Sequence, residues 1–425
     1  MKRLTLVAGA LALSLCALTG CAKKGGKTSG AAKTITFWHL DTTDEQQAAW
    51  RQIADNFEAK HPGVKIEITC LENEAFKQKV ATVIQSGNPP DIFRSWGGGV
   101  MIDQAEAGML RDITKYVKDG AISKIGAGAM GVYAYDGVQY GAPYSLGTVG
   151  IWYNKDIFAE CGLTPDNFKT WNDFLASCKV IKAHGYAPVA LGGADKWPGH
   201  YWWTYLAQRL GGEKAFLDAY NGTNGGAFNK GSFLKAMEML KEFVDTKPFQ
   251  EGFLANTMVE ECALVADKKA AMDLMGQWAP STGRDNSADG KGSPYGYMAF
   301  PAVEGGVGLL SDTQGGGDGY VIGANAPDEA IEFLKSIYEP ENYKIICSKL
   351  NGCPIIPGFE DLIDDNMKVV AQSVKDAGYY QLYYDQFLPT AVGEDIKDAT
   401  QGIYAGTMTP QQAVDKIQAS WEKNK

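Results

Sequence analysis

The length, composition and charge of the chain indicate a globular protein that does not bind nucleic acid. Its 425 residues are 45% hydrophobic and 21% charged, which is ordinary for a folded chain of two or three domains. The formal net charge is −10, and lysine and arginine are scattered without the basic stripe that phosphate contacts require. The four histidines and eight cysteines form no ligand motif, so the sequence predicts no metal and no cofactor.

The amino-terminal segment has the pattern of a lipoprotein signal. Two basic residues precede an apolar run at 4–15, which is too short to span a bilayer. Leu18-Thr19-Gly20-Cys21 follows and resembles the bacterial lipobox. Residues 1–20 are therefore predicted to be removed as a signal peptide, and Cys21 to carry a lipid that anchors the protein on the outer side of the cell membrane. An ordinary signal peptide with an incidental cysteine is the alternative.

The segment after Cys21 is predicted to be a flexible tether. Residues 22–33 contain only Gly, Ser, Thr, Ala and Lys, so the tether is placed at 21–33. Removal of residues 1–20 leaves 38 basic and 50 acidic residues, a net charge of −12. Six cysteines remain besides Cys21. Cys347 and Cys353 are the best local pair for a disulfide, and free buried thiols are the alternative.

The first ordered part of the chain alternates between strand and helix patterns. Residues 34–38 and 64–69 alternate like strands, and 91–93 forms a short buried strand. Residues 45–60 and 74–86 carry apolar side chains at helical spacing. This order predicts an α/β fold with parallel strands, in which ligands lie at the carboxyl ends of the strands.

The same alternation continues towards the carboxyl terminus. Strands are predicted at 140–153, 189–191, 270–275, 296–301 and 320–323, and helices at 170–184, 233–244, 328–338 and 409–421. The glycine-rich stretch 315–319 is predicted to be a loop. Residues 126–131 satisfy G-x-G-x-x-G, but a strand or turn is expected after them instead of a helix, so they do not predict a dinucleotide site.

Several short motifs occur in an order that resembles one protein family over nearly the whole chain after residue 33. The chain resembles the extracellular solute-binding proteins of bacterial ABC sugar importers, the family of maltose-binding protein. The motifs are Ile35-Thr36-Phe37-Trp38, Gly87-Asn88-Pro89-Pro90-Asp91-Ile92, Gly141-Ala142-Pro143-Tyr144-Ser145, Tyr153-Asn154-Lys155-Asp156, Thr170-Trp171-Asn172-Asp173-Phe174, Ala270-Ala271-Met272, Gly276-Gln277-Trp278 and Thr409-Pro410-Gln411-Gln412-Ala413.

The resemblance implies a two-lobed, type II periplasmic-binding-protein fold with three crossings between the lobes. Lobe one is expected at 34–146 plus 301–352, and lobe two at 147–297 plus 355–425. The crossings are expected near 145–146, 298–300 and 352–354. The resemblance also implies a monomeric, non-catalytic receptor that captures a di- or oligosaccharide in the cleft between the lobes and delivers it to the membrane permease.

Sugar recognition needs flat apolar surfaces and paired hydrogen bonds, which aromatic and short polar side chains provide. Trp96, Trp197 and Trp278 lie near glycines in predicted loops and are candidate stacking residues. The resemblance places a sugar-stacking aromatic residue at Trp278 and a carboxylate at Asp385. Inter-lobe packing is the alternative for Trp278.

Six further residues complete the set of candidate ligand contacts. They follow predicted strands, start helices or flank the glycine-rich stretch: Trp38, His39, Glu74, Trp202, Asp312 and Asp318. Of the two aspartates, at most one is expected to bind. The alternatives are helix capping for Glu74, core packing for the other aromatic residues near Trp202, and turn formation for the aspartates.

Two other functions fit parts of the sequence. A secreted glycoside hydrolase also has tryptophan-lined clefts and paired carboxylates, but no motif around any Asp or Glu indicates one. A receptor of the same fold for a non-sugar solute is the second alternative. Arg94 and Lys196 lie near candidate loops, which leaves an acidic sugar open.

Overall fold

The computed structural model describes residues 32–425, which form eleven β-strands and sixteen α-helices. The strands are β1 Lys33–His39, β2 Val64–Cys70, β3 Ile92–Ser95, β4 Ala134–Tyr135, β5 Val138–Gln139, β6 Gly141–Asn154, β7 Ala187–Val189, β8 Ala270–Met275, β9 Tyr295–Met298, β10 Thr313–Ile322 and β11 Tyr380–Leu382. The helices are α1 Asp44–Lys60, α2 Asn73–Gln85, α3 Gly98–Glu106, α4 Ala127–Gly131, α5 Lys155–Cys161, α6 Trp171–Ala183, α7 Trp197–Asn221, α8 Ser232–Asp245, α9 Met258–Ala266, α10 Ala279–Asp285, α11 Asp328–Ser336, α12 Pro340–Lys349, α13 Asp365–Asp376, α14 Tyr384–Phe387, α15 Thr390–Tyr404 and α16 Pro410–Asn424. The predicted signal peptide, lipidated Cys21 and most of the tether lie outside the described residues.

Nine of the strands form one mixed sheet in the order β2-β1-β3-β10-β6-β8-β7, with β11 paired to β10 and β9 to β6. β1 is parallel to β2 and β3, as predicted. In contrast, β10 is antiparallel to both β3 and β6. The start of β6 pairs only with β10, whereas its last residues pair with β8 and β9. Two long neighbouring strands therefore connect the two lobes.

Helices cover both halves of the sheet. In lobe one, α1 packs on β2, α11 and α12. Its buried face consists of Trp50, Ile53 and Phe57, at the helical spacing that the sequence predicted. In lobe two, α7, α8, α15 and α16 pack on one another, and α13 packs on β6 and β9. The fold is therefore α/β, with one apolar core that runs through both halves of the sheet and a smaller cluster around Phe76, Phe93 and Met101 in lobe one.

The glycine-rich stretch 315–319, which we predicted to be a loop, lies inside β10 and is a strand. A Cβ atom at Gly315 would lie 2.0 Å from the carbonyl oxygen of Gly147 in β6. A Cβ atom at Gly316 would lie 2.3 Å from the ring of Tyr383. The glycines therefore allow close packing around β10, and they do not signal a turn.

Residues 301–312, which we expected in lobe one, lie against lobe two. The Ala302 amide donates to the carbonyl oxygen of Lys169 at 3.0 Å, and the Gly308 amide donates to that of Arg209 at 2.9 Å. The guanidinium of Arg209 also donates to the carbonyl oxygens of Phe300 and Asp312, at 3.0 and 2.7 Å. These hydrogen bonds tie 301–312 to Lys169 and Arg209, and the boundaries of the lobes and their three crossings stay predictions.

The predicted first and third crossings lie in contact, because the Cys353 amide donates to Ser145 Oγ at 2.8 Å.

The cysteines between residues 32 and 425 are all free thiols, including Cys347 and Cys353. All of them are buried except Cys70, which is half-buried. Within the same range, no helix is both long and apolar enough to cross a bilayer. No group of three His, Cys, Asp or Glu side chains in this range could hold a metal ion. Residues 127–131 of the G-x-G-x-x-G motif form the short helix α4, and the hairpin of β4 and β5 follows it.

Candidate ligand-binding cleft

A cavity of about 240 Å³ lies between the lobes, where strands of both lobes end. Lobe one contributes side chains from the segments that follow β1, β2 and β3. Lobe two contributes the start of α7 and the segments that follow β8 and β11. The cavity is therefore at the carboxyl ends of strands, the position expected for a ligand in an α/β sheet.

A buried ion pair crosses the back of the cavity. Arg94 of β3 pairs with Asp318 of β10 and donates to the hydroxyl of Tyr144 at 2.5 Å. Gln277 Nε2 of lobe two donates to the other Asp318 oxygen at 3.1 Å. Burial raises the pKa of Asp318, and the Arg94 charge opposes that shift. The network joins both lobes and leaves no net charge at this wall.

Three tryptophans form the aromatic walls of the cavity. Trp96 lies on the lobe-one side, and Trp197 and Trp278 lie on the lobe-two side with their ring centroids 6.1 Å apart. The Trp278 ring passes over Gly276, where a Cβ atom would lie 2.3 Å from the ring. Indole faces are rigid apolar platforms that lose little entropy on binding. The walls can therefore hold the flat C–H face of a ligand ring.

Five polar side-chain atoms along this cavity are buried and have no hydrogen-bond partner among residues 32–425. They are Arg94 Nε, Trp197 Nε1, Gln277 Oε1, Trp278 Nε1 and Gln386 Oε1. Such buried atoms cost about 1–3 kcal/mol each when they stay unpaired. Donors and acceptors both occur in the set, so hydroxyl groups, which donate and accept, are suitable partners for all five.

Asp385 contributes a carboxylate from the segment after β11. One carboxylate oxygen lies 3.5 Å from Nε2 of the buried His200, whose Nδ1 is 2.6 Å from the Trp197 carbonyl oxygen. Burial of Asp385 opposes its ionisation, but His200 and then Lys397 outweigh this effect and lower its pKa. Asp385 is therefore a charged acceptor at neutral pH, held by a histidine that also supports Trp197.

A pair of buried carboxyl groups lies behind the lobe-two wall. Glu261 of α9 accepts a hydrogen bond from the Gly192 amide at 2.6 Å, in the segment that leads to Trp197. Burial raises the pKa of Asp273 of β8 to about 8. Burial and the neighbouring Asp273 also raise the pKa of Glu261. The pair therefore holds a proton at neutral pH, which avoids two buried negative charges.

The cavity brings together five of the ten predicted contact residues. They come from both lobes: Trp96, Trp197, Trp278, Asp318 and Asp385. Glu74 lines an adjoining cavity and is paired with Lys77 at 2.8 Å. Glu74 does not cap α2, which was its alternative role. The N-cap of this helix is Glu72, whose carboxylate accepts a hydrogen bond from the Glu74 amide.

Trp202 is a core residue and not a cleft residue. Its indole is 1% exposed and packs against Phe243 and Phe300, with centroid distances of 5.1 and 5.9 Å. Trp197 and Tyr201 are four residues apart on α7, so they share the helix face that lines the cavity. Trp202 is one residue further along the helix and points into lobe two.

Trp38 and His39 lie beside the cleft-forming loop without lining the cavity. His39 is fully buried beneath it, with its ring centroid 5.6 Å from that of Phe37. Phe37 and His39 both point inward, because they are two residues apart on β1. Trp38 points to the opposite face, where Lys79 Nζ lies 4.8 Å from its ring centroid. The next residues, 40–43, are the ones that reach the cavity.

Asp312 has the turn role that was its alternative. Its carboxylate accepts from the Leu309 amide at 2.7 Å, and it lies beside Arg209 in a separate cavity of about 770 Å³. Of the two aspartates that flank the glycines, Asp318 is therefore the one in the cleft.

Several cavity residues were missed as contacts by the sequence analysis: Lys77, Tyr144, Tyr201, Gln277, Tyr383 and Gln386. Some of them stood within the quoted motifs or beside a predicted contact. Tyr144 belongs to Gly141–Ser145, Gln277 precedes Trp278, and Gln386 follows Asp385. A position inside a quoted motif or next to a predicted contact is therefore the sequence signal that could have identified these residues.

Known proteins resemble this chain over most of its length. It is 23% identical to the melibiose/raffinose/stachyose-binding protein MelE of Bacillus subtilis, over 97% of this chain and 95% of the relative. It is 26% identical to the sn-glycerol-3-phosphate-binding periplasmic protein UgpB of Shigella flexneri, over 98% and 96%. A solved structure from work on xylan utilisation by Caldanaerobius polysaccharolyticus matches with a TM-score of 0.84 and 27% identity, over 91% of this chain and 99% of that one.

The structural match extends over both lobes, so the two-lobed solute-binding fold predicted from the motifs is confirmed. A family model described as bacterial extracellular solute-binding protein matches residues 41–344, which include the segment after β1 and the ends of β2, β3 and β8 that build the cleft. This family comprises binding proteins and not enzymes, so the hydrolase alternative is set aside. The chain belongs to the bacterial extracellular solute-binding proteins.

Proposed function

We propose that this protein is the receptor of a bacterial ABC importer and that it captures an uncharged di- or oligosaccharide between its lobes for delivery to the membrane permease. The observation that carries the proposal is the combination of three tryptophan walls with five buried polar atoms that have no hydrogen-bond partner in the described part of the chain. A sugar ring has an apolar C–H face and a hydroxyl edge, which match these two kinds of surface.

An anionic ligand, such as the phosphate ester named for one relative, fits the cleft less well. The two cationic side chains on the cavity, Lys77 and Arg94, are already paired with Glu74 and Asp318. The acidic side chains on the cavity outnumber the cationic ones. A phosphate group would therefore meet no free positive charge, whereas neutral hydroxyls need none.

The test is thermal unfolding of the chain from residue 22 onward against neutral oligosaccharides, with glycerol 3-phosphate and an amine as comparison ligands. A ligand that binds only the folded state raises the melting temperature in proportion to ln(1 + [L]/Kd). We expect a dose-dependent shift with one sugar series, and recovery of the sugar unchanged. A shift with the phosphate ester or the amine alone would overturn the sugar assignment.

We also propose that the protein acts as a monomer and that a lipid on Cys21 holds it on the outer face of the cell membrane. The lipobox-like sequence Leu18–Cys21 and the tether predicted at 21–33 support the anchor. Mass spectrometry of the protein expressed in its full-length form should find a diacylglyceryl group on Cys21 and no residues 1–20. Cys21→Ser should release the protein from the membrane fraction, and membrane retention of this variant would contradict the proposal.

A further inference from the structure

A second chamber continues the cleft beyond Trp96. This outer chamber has a volume of about 730 Å³ and shares Lys77, Arg94, Trp96, Asp385 and Gln386 with the inner cavity. The inner cavity, at about 240 Å³, is below the roughly 300–1,000 Å³ that ligand pockets usually occupy. The outer chamber falls within that range, so the two chambers together form one elongated site.

The aromatic platforms continue from one chamber into the next. Trp278 and Trp197 lie 6.1 Å apart in the inner cavity. Lys77 Nζ is 5.8 Å from the ring centroid of Trp197 and 5.8 Å from that of Trp96. Trp96 in turn meets Phe76 of the outer chamber edge-on at 6.2 Å. The Lys77 ammonium therefore marks the passage between the chambers.

The outer chamber combines apolar and polar surfaces. Phe76, Val80 and Ile84 of α2 form an apolar strip on the lobe-one wall, which also carries polar side chains such as Asp103 and Gln104. The lobe-two wall is polar, and its cations are paired: Lys196 with Asp398 at 2.8 Å and Lys397 with Glu394 at 2.5 Å. Gln104 Oε1 and Gln386 Oε1 line the chamber and are buried without a partner among the described residues.

We propose that the ligand is a linear, uncharged oligosaccharide of at least three rings, whose third and later rings lie in the outer chamber between α2 and α15. This inference rests on the proposed function and goes beyond it, because it sets a minimum length for the ligand and places its later rings. Such a chamber suits a sugar chain, since the apolar strip of α2 covers C–H faces and the polar side chains of both lobes pair with hydroxyls.

The test uses a blocking substitution at an exposed position of α2. Ala81 is exposed and lines the outer chamber, so Ala81→Trp narrows the chamber without disturbing the core. Thr82 is the next residue, also exposed, and does not line the chamber, which makes Thr82→Trp the matched control. Calorimetry then measures Kd for xylo-oligosaccharides from the disaccharide to the pentasaccharide, or for whichever neutral series raises the melting temperature.

In the unsubstituted protein we expect affinity to rise at least about tenfold from the disaccharide to the tetrasaccharide. Ala81→Trp should abolish that rise and leave disaccharide affinity unchanged, whereas Thr82→Trp should preserve both. Equal affinity for all lengths in the unsubstituted protein, or an undiminished rise in Ala81→Trp, would overturn the inference while leaving a sugar receptor. Failure of every sugar to bind would instead overturn the proposed function, and this inference with it.

Discussion

Trp278→Ala should weaken sugar binding by about 30- to 150-fold and leave the fold intact. An aromatic side chain buries about 150–250 Å², of which roughly a third lies on the ring face that would meet a sugar. At about 25 cal/mol per Å² that face contributes about 1.5 kcal/mol. A hydrogen bond from the indole Nε1, which has no partner among residues 32–425, adds about 0.5–1.5 kcal/mol. The total of about 2–3 kcal/mol gives the stated loss of affinity.

The assay is calorimetric titration with the sugar that gives the largest thermal shift. Trp278 is half-buried and precedes α10 without a capping hydrogen bond, so the variant should keep its far-ultraviolet circular dichroism and unfold cooperatively. Trp38→Ala is the matched control, because that indole is also half-buried but lies away from the cavity. Full affinity in Trp278→Ala, or an equal loss in Trp38→Ala, would refute the assignment of Trp278 to the ligand.

Three further predictions concern residues around the cleft. Trp202→Ala should lower the free energy of unfolding by about 3–5 kcal/mol in urea titrations while the folded fraction keeps its affinity; a lost affinity at full stability would contradict its core position. Arg94→Met should cost about 3–5 kcal/mol in the same measurement because it leaves Asp318 buried and unpaired, and a cost below about 1 kcal/mol would show that the pair is not buried in solution. Asp273 has a folded-state pKa of about 8 against 3.8 for its ordinary value, so the folded state retains a proton that the unfolded chain releases. Asp273 should therefore make the free energy of unfolding fall from pH 5 to pH 8 by up to about 1.4 kcal/mol per pH unit, and Glu261, whose pKa burial also raises, acts in the same direction. Asp273→Asn should make that profile less steep, and an unchanged slope would refute the role of Asp273.

Local periodicity predicted much of the fold because it depends on residues close in sequence. The helix predicted at 45–60 is α1 at Asp44–Lys60, and the strand predicted at 270–275 is β8. Caps fix several helix starts: Thr43 and Thr170 each accept from the backbone of the helix they precede. These signals are local, so tertiary packing did not alter them.

Contacts between distant segments account for what the sequence did not reveal. The glycines of 315–317 predicted a loop, because the sequence does not show that β6 and Tyr383 pack directly against them. The sequence could not distinguish Asp318 from Asp312 because only the fold brings Arg94 beside one of them. Trp197 and Trp202 share a helix, and which face of α7 meets the cavity depends on the packing of Phe243 and Phe300.

The pairing of cations along the cleft has a consequence for how fast the ligand is captured. Arg94, Lys77, Lys196 and Lys397 each have an acidic partner, and an uncharged sugar carries no charge on which the remaining field of the cleft could act. Electrostatic steering speeds association only when a charged partner meets an uncompensated field, and salt then weakens it. The sugar should therefore bind to this receptor at nearly the same rate at low and at high salt concentration, limited by diffusion and lobe closure.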